Sequence, residues 1–509
     1  MLFPKGLAGP STLMKRLLLA LVPVLLALGC GKGEAARPNV ILITLDTTRA
    51  DFVSCYGVYP GVTPNLDKLA AQGTRFDMAI STAGVTPVSH ASILTGMNNQ
   101  THQLRVLSAP SGFTLPEDVP TLATTLAKNG YHTAAVHSAF PVSRNFGFQR
   151  GFEVFEDLNT EMKHLTNDKG QVKSIWDVQN FQRRSDETTD LVESSLKGEE
   201  PFFLWIHYWD PHDWDKLPPD DLLAPKERFF DAAGSPLRPG IELYKAELHY
   251  QDEQIGRLFA GLERRGLLEN TIVVVTADHG QGLMEHGWAA HRLLYQEQVH
   301  VPLIVKLPGA KQASSVKELV RTIDVAPTVL DYCGIRPEKP IDGRSLRALI
   351  EGRADERRLA FGDQINGYDT NAGMAYRDDR RYDQFLYMVV DWPHKLIYRP
   401  LHPEQSELYD LVADPDEARN LYASEPALAT RLRRELARSN PWVPGPYESV
   451  AGHEQDDAAN RALAELGYTA GQTVDPTWSW TCPEHMDELL EGPKSRCGKC
   501  QSPPLMIKR

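Results

Sequence analysis

Cysteine is scarce, positive charge is outnumbered, and beyond the amino-terminal leader no hydrophobic run is long enough to cross a membrane. Six cysteines in 509 residues are too few to staple a chain of this size, which excludes a disulfide scaffold. Lys and Arg number 54 against 67 Asp and Glu, for a net charge of −13. That excludes the basic surface which wholesale nucleic-acid binding needs, so no nucleic-acid partner is expected. The 37 Gly and 36 Pro are scattered and no long internal repeat is present, which excludes a collagen-like or low-complexity polymer. What remains is an ordinary globular composition, 42% hydrophobic and 24% charged, over a length that fits two or three domains.

The first apolar run sets the expected compartment. Met14-Lys15-Arg16 precedes an apolar stretch from Leu17 to Leu28, a charged region plus a hydrophobic one shorter than a spanning helix. It reads as an export signal. It closes with Ala27-Leu28-Gly29-Cys30, which resembles a bacterial lipoprotein box with Cys30 as the lipidated residue. The competing reading is an ordinary cleaved signal with an incidental cysteine. Residues 1–35 are therefore assigned as leader and linker, and the body is expected at the periplasmic face of a cell-envelope membrane, anchored through Cys30.

The body alternates strand and helix patterns. Asn39–Leu45 is a continuous apolar, β-rich run of the kind buried on both faces of a parallel sheet, and similar runs recur at His132–His137, Phe202–Tyr208, Thr271–Thr276 and Pro302–Leu307. Helical spacing fits Asn65–Gln72, Thr121–Lys128 and Leu243–Leu262. This predicts an α/β fold, a mostly parallel sheet sandwiched by helices, over a core at 36–335. A smaller carboxy-terminal subdomain is expected at 336–470, with a strand at Glu407–Asp410 and a helix at Glu425–Arg438, followed by a tail at 478–509.

In open parallel sheets ligands bind in the crevice beyond the carboxyl ends of the strands. Polar residues directly after the apolar runs are Asp46, then His207, Asp210 and His212, then Asp278 and His279, while Thr86 opens Thr86-Pro87-Val88-Ser89-His90 ahead of a helix. Two Asp, a His and a hydroxyl suit one divalent cation of intermediate hardness. A lone Asp at a strand end is commonly a cap or turn residue; the pair Asp278-His279 is more telling.

The segments N-V-I-L-I-T-L-D-T-T-R-A-D at 39–51, T-P-V-S-H-A-S-I-L-T-G at 86–96, T-A-D-H-G at 276–280, E-H-G at 285–287 and V-P-L-I-V at 301–305 together resemble the sulfatase family of the alkaline phosphatase superfamily. The resemblance continues through I-D-V-A-P-T-V-L-D at 323–331, D-G-R-S-L at 342–346, H-K-L-I at 394–397, E-L-Y-D-L at 407–411 and L-A-E-L-G-Y at 463–468. It implies an alkaline phosphatase-like fold and a metal-dependent ester hydrolase. Asp46, Asp278 and His279 would then be metal ligands with Thr86 as the fourth, the cation being Mn, Mg, Zn or Ca. Thr47 stands where many sulfatases have a second Asp.

The departure from the family pattern lies at the nucleophile. Sulfatases usually carry C-x-P-S-R or S-x-P-S-R, whose first residue becomes formylglycine; here Thr86 holds that position, Ser89 the Ser and His90 the Arg. Threonine is not a known formylglycine precursor. The Thr version is similar to phosphodiesterases and phosphoglycerol transferases of the superfamily, which use a metal-bound threonine. A hydroxyl is a weak nucleophile until a cation lowers its pKa. His212 matches the family histidine at the ester oxygens and His291 a second such position, so either is a candidate proton donor. His90 is expected to support the Thr86 turn or to bind oxygen, and Arg49 to orient Asp46 or the anion.

In the tail, Cys482 and His485, then Cys497 and Cys500, give C-x2-H and C-x2-C pairs that suit a tetrahedral zinc or other heavy metal, and the segment resembles a small heavy-metal-binding domain. Free thiols or disulfides are the alternative. The functional expectation is an exported hydrolase cleaving a sulfate or phosphate ester of a small molecule, glycan or lipid through Thr86. Two alternatives stay open. One is a phosphodiesterase or phosphoglycerol-type transferase acting on envelope lipid headgroups; the other is a non-catalytic metal-binding lipoprotein.

Overall fold

A computed structural model describes residues 37–105, 114–158, 162–166, 172–176, 182–195, 201–215, 225–366, 382–400, 402–439 and three short tail strands at 478–481, 489–490 and 505–508. The core is a nine-stranded mixed sheet. Its strands are β1 (Asn39–Leu45), β2 (Thr74–Ile80), β3 (His132–His137), β4 (Val154–Glu156), β7 (Phe202–Tyr208), β8 (Thr271–Ala277), β9 (His300–Val301), β10 (Leu303–Lys306) and β11 (Ser314–Arg321). Between β4 and β7, strands β5 (Met162–Thr166) and β6 (Val172–Trp176) form a separate antiparallel ribbon. The order across the sheet is β11-β2-β10-β8-β1-β7-β3-β4, with β9 on β2.

The three central strands β8, β1 and β7 are parallel and buried at every position. That is why they read as unbroken apolar runs rather than as alternating ones. The expected strand at Pro302–Leu307 is present as β10, but it runs antiparallel to both β8 and β2. Helices flank the sheet. One group is α1 (Pro64–Ala70), α4 (Ser185–Ser195) and the 24-residue α5 (Ile241–Arg264), the other α2 (Thr86–Thr95), α3 (Leu122–Lys128) and α6 (Val325–Tyr332). On α5 the buried positions Leu243, Leu248, Ile255, Leu258 and Leu262 fall on one stripe, the pattern of a helix laid on a sheet.

The carboxy-terminal part is a four-stranded antiparallel sheet, β12 (Ala360–Ile365), β13 (Phe385–Asp391), β14 (His394–Tyr398) and β15 (Glu407–Asp410), covered by α7 (Pro426–Arg438). One face packs Tyr387, Val389, Leu396 and Tyr398 under Leu432 and Leu436 of α7. The other packs Met388, Val390 and Ile397 against Ile80, Leu293 and Val299 of the core. Sheet alternation thus joins the two parts. In the tail, β16 (Trp478–Thr481) pairs antiparallel with β17 (Leu489–Leu490) and β18 (Leu505–Lys508). Cys482, His485, Cys497 and Cys500, like Cys30, lie outside the described residues.

Candidate active site

Register brings the two acidic residues together. Leu45 of β1 pairs with Ala277 of β8 in parallel, so Asp46 and Asp278 leave the sheet side by side at its carboxyl edge. On the other side of β1, Thr44 pairs with His207 of β7, which sets that imidazole beside Asp46. Thr86 arrives from a different direction, as the first residue of α2, with Pro87 at a position where helices tolerate it.

Among the described residues, Asp46, Asp278 and His279 are the group whose potential ligand atoms all lie within 4.8 Å of one another. All three are fully buried, as is Thr86. Thr86 Oγ1 is 3.3 Å from His279 Nε2 and its hydroxyl lies against both carboxylates. Burial and then the facing Asp278 charge push the Asp46 carboxyl well above the usual carboxylate range, with the Thr86 hydroxyl pulling the other way. Burial likewise raises Asp278, offset in part by the amides of His279 and Thr47, which donate to its Oδ1 at 2.7 and 3.1 Å. Asp46 Oδ1 and Asp278 Oδ2 remain buried without a hydrogen-bond partner. Two buried acids facing each other with orphaned oxygens are costly unless a cation sits between them. The donor set of two carboxylates, an imidazole and a hydroxyl therefore fits one divalent cation.

The histidines are held in defined tautomers by backbone carbonyls. His279 Nδ1 is 2.9 Å from Gly280 O, so this nitrogen carries the proton and the Nε2 lone pair faces Thr86, the usual arrangement for a ligating imidazole. His291 Nδ1 donates to Gly84 O at 2.7 Å, so here too Nδ1 carries the proton. Its ring centroid is 4.6 Å from that of His279 and 5.6 Å from that of His212. Both nitrogens of His90 are engaged within the protein, Nδ1 with Thr86 O at 2.8 Å and Nε2 with Thr44 Oγ1 at 3.0 Å. Burial brings His90 and His279 down to about 3, and burial also lowers His291 and His207. His212 differs in exposure: it stands on the turn after β7, stacked on Trp209 at 4.0 Å, with its side chain 18% exposed.

Two glycines are required by close approach. A Cβ on Gly84 would lie 2.9 Å from Arg292 N, and one on Gly280 would strike the Glu297 carbonyl. The D-H-G motif therefore ends in Gly because the neighbouring loop crosses directly over it.

The structure thus gathers Asp46, Thr86, Asp278 and His279, with His212 and His291 at the rim and His90 beneath Thr86. Arg49 is placed differently from expectation. Its guanidinium pairs with Asp51 at 2.7 Å and with Glu285, and donates to Gln281 O; none of these contacts is with Asp46. It ties down the loop after His279. Sequence reasoning noted His207 at a strand end but gave it no role; its Nε2 lies 3.1 Å from Asp46 Oδ2, with Nδ1 accepting the Ser138 amide at 3.4 Å. The signal was a histidine inside an otherwise apolar strand, which is equally common for a satisfied core residue.

Comparison with known proteins agrees with this geometry. Residues 38–335 match the family described as Sulfatase, and residues 284–440 match the region described as N-sulphoglucosamine sulphohydrolase, C-terminal. The chain is 27% identical to an N-acetylglucosamine-6-O-sulfatase of Bacteroides thetaiotaomicron, over 82% of this chain and 88% of that protein. It is 25% identical to an arylsulfatase of Clostridium perfringens, over 76% and 91%. Its fold is similar to that of a phosphonate monoester hydrolase from Silicibacter pomeroyi, with a TM-score of 0.59 and 21% identity over 79% of this chain and 96% of that one. With its ligand cluster at the carboxyl edge of a mixed sheet and more than half its length in the family match, this chain belongs to the sulfatase family of the alkaline phosphatase superfamily, the sulfuric ester hydrolases.

Proposed function

We propose that this protein hydrolyses a sulfate, phosphonate or phosphate ester of a small molecule or glycan, with Thr86 in place of formylglycine as the nucleophile. The observation that carries the reading is the Thr86 hydroxyl, buried at the helix start and within reach of Asp46, Asp278 and His279. A divalent cation held by Asp46, Asp278, His279 and Thr86 would polarise the ester and favour the ionised hydroxyl. Thr86 Oγ1 attacks sulfur or phosphorus in line, and the bond to the leaving alcohol breaks. The first turn of α2 leaves amides without helical partners, and these face the developing negative charge. His212, partly exposed and fixed on Trp209, protonates the leaving oxygen and then takes the proton of the water that frees Thr86. His291 binds an ester oxygen, His207 orients Asp46 and His90 holds the Thr86 turn.

A threonine at the nucleophile position gives phosphonate and phosphodiester substrates weight beside sulfates, because a hydroxyl retains the adduct as an ester until water attacks. The non-catalytic reading is disfavoured by the same cluster, since a chain without turnover has no need of a buried hydroxyl among the three ionisable groups Asp46, Asp278 and His279. Export and the Cys30 anchor are part of the proposal on the strength of the leader, and a heavy metal in the tail on the strength of its Cys/His spacing.

The test is a panel of aryl sulfate, phosphate monoester, phosphodiester and phosphonate substrates assayed with Mn, Zn, Mg or Ca. Acid-quenched turnover should leave a sulfo or phospho adduct on the peptide carrying Thr86. Thr86→Ala should abolish adduct and turnover while keeping most bound metal. Turnover by that variant at the parent rate would overturn the assignment.

A further inference from the structure

At the opposite end of the sheet from the catalytic crevice lies a cavity of about 490 Å³ between α1, the second half of α5 and the turn after β10, within the size range of small-molecule sites. Lys306 of β10 pairs with Val273 near the start of β8. Five residues of strand, about 17 Å, separate that level from Asp278. Gly256 allows α5 to press on α1 here, since a Cβ would lie 2.5 Å from the Asn65 side chain.

The cavity has three ammonium groups, Lys68, Lys306 and Lys311, against two carboxylates, Glu263 and Glu269, and Phe259 contributes an apolar wall. Lys68 and Lys311 are exposed, and Lys68 Nζ is tethered to Asn65 Oδ1 at 3.0 Å. Lys306 is different. It is only 9% exposed, and among the described residues no carboxylate forms an ion pair with it. Burial pulls its ammonium below the ordinary lysine value, and the Glu269 charge compensates only in part. A largely desolvated cation lining an open cavity is costly to maintain in the absence of a counter-charge. The catalytic machinery makes no use of it.

We propose that this cavity is a second, non-catalytic binding site for a tetrahedral oxyanion, the sulfate or phosphate group of a small ligand or of a lipid headgroup, held by Lys306 with Lys68 and Lys311. The three lysines exceed the two glutamates by one charge, which a singly charged sulfate or phosphate ester brings to zero, and its organic portion has the Phe259 wall to cover. The site is separate from Thr86 and stands or falls independently of the catalytic assignment.

The test is site-resolved lysine acetylation of the full chain, read by peptide mass spectrometry. Labelling is compared in buffer alone, with inorganic sulfate, with inorganic phosphate, and with vesicles of phosphatidylglycerol or of phosphatidylcholine. Protection of Lys306 by the free anions, several-fold over buffer and unchanged in the Thr86→Ala background, is the expected result and marks a small-anion site. Protection by phosphatidylglycerol vesicles alone assigns the same chemistry to a lipid headgroup. Equal labelling of Lys306 under all conditions overturns the proposal. Lys306→Met should remove anion protection at Lys68 and Lys311 while leaving turnover unchanged; persistence of that protection would also overturn it.

Discussion

The catalytic edge and the carboxy-terminal sheet both bury charge, and they do it in opposite ways. Behind β13 and β14 every buried carboxylate singled out here has a cation: Glu417 has Lys395 at 2.8 Å, Asp383 has Arg399 at 2.8 Å, and Asp363 has Arg105. At the carboxyl edge of the core sheet, Asp46 and Asp278 face each other among histidines that burial keeps neutral. A paired buried charge is architecture, because removing one partner strands the other. A buried pair of like charges with orphaned oxygens is a site, because the protein has left the compensating charge to come from outside.

Four experiments sharpen or break this contrast. The largest effect is expected from Asp278→Asn. Turnover should fall roughly 10³-fold or more as the cation is lost. The metal-free variant should melt no lower than the metal-free parent at neutral pH, since a repulsive buried charge has gone. A clear loss of metal-free stability, measured by calorimetry after chelation, would place Asp278 with the structural pairs instead. Next, Lys395→Met should cost about 3–5 kcal/mol of stability by leaving Glu417 buried alone, with catalytic metal content per folded molecule unchanged. If denaturant unfolding shows no such loss, the carboxy-terminal pair is not architecture.

His207→Gln tests the boundary between the two kinds of region. The imidazole touches Asp46 and no substrate, so its loss should weaken cation affinity about 10–100-fold, read by metal titration, with bound-metal turnover much less affected. The smallest effect is expected at His286, which pairs with Glu297 at 2.9 Å. Burial pulls this imidazole down, but the hydrogen bond and charge of Glu297, with Glu417 behind it, outweigh that and raise it above 6.5. A raised folded pKa means stabilisation that is present in full below 6.5 and is lost as pH rises through the folded value. His286→Gln should therefore lower the unfolding free energy slightly near about pH 6, by less than about 1 kcal/mol, and match the parent in alkali. A difference that persists or grows with pH would point to lost packing on Tyr295 rather than lost charge.

The central strands were legible because burial on both faces leaves a continuous apolar run; β1 and β7 begin and end where that run does, and β8 extends one residue beyond it. β2, β11 and β13 were not singled out. Polar residues alternate through β2 and β11, whereas β13 is an apolar run buried at every position and was legible on the same grounds as the central strands. The direction of β10 was equally hidden, since so short a run, Leu303–Lys306, reads the same either way along a sheet. In the site, Asp46, Thr86, Asp278 and His279 stood out because each directly follows an apolar run or opens a helix. Arg49 shows the limit. Its type and place suit an anion, yet Glu285, 236 residues away, takes its Nη1.

By itself the sequence determined the chemistry available: which strands are buried, which acids and histidines end them, and that a threonine opens the helix beside them. Periodicity and residue type are local properties, so a linear reading captures them. Tertiary structure decided who meets whom. Parallel register set Asp46 beside Asp278 and His207 beside Asp46, the distant Gly84 carbonyl fixed the His291 tautomer, and the antiparallel course of β10 brought Lys306 beside the start of β8. Those outcomes depend on strand order and on contacts hundreds of residues apart, and they arise only when the sheet closes.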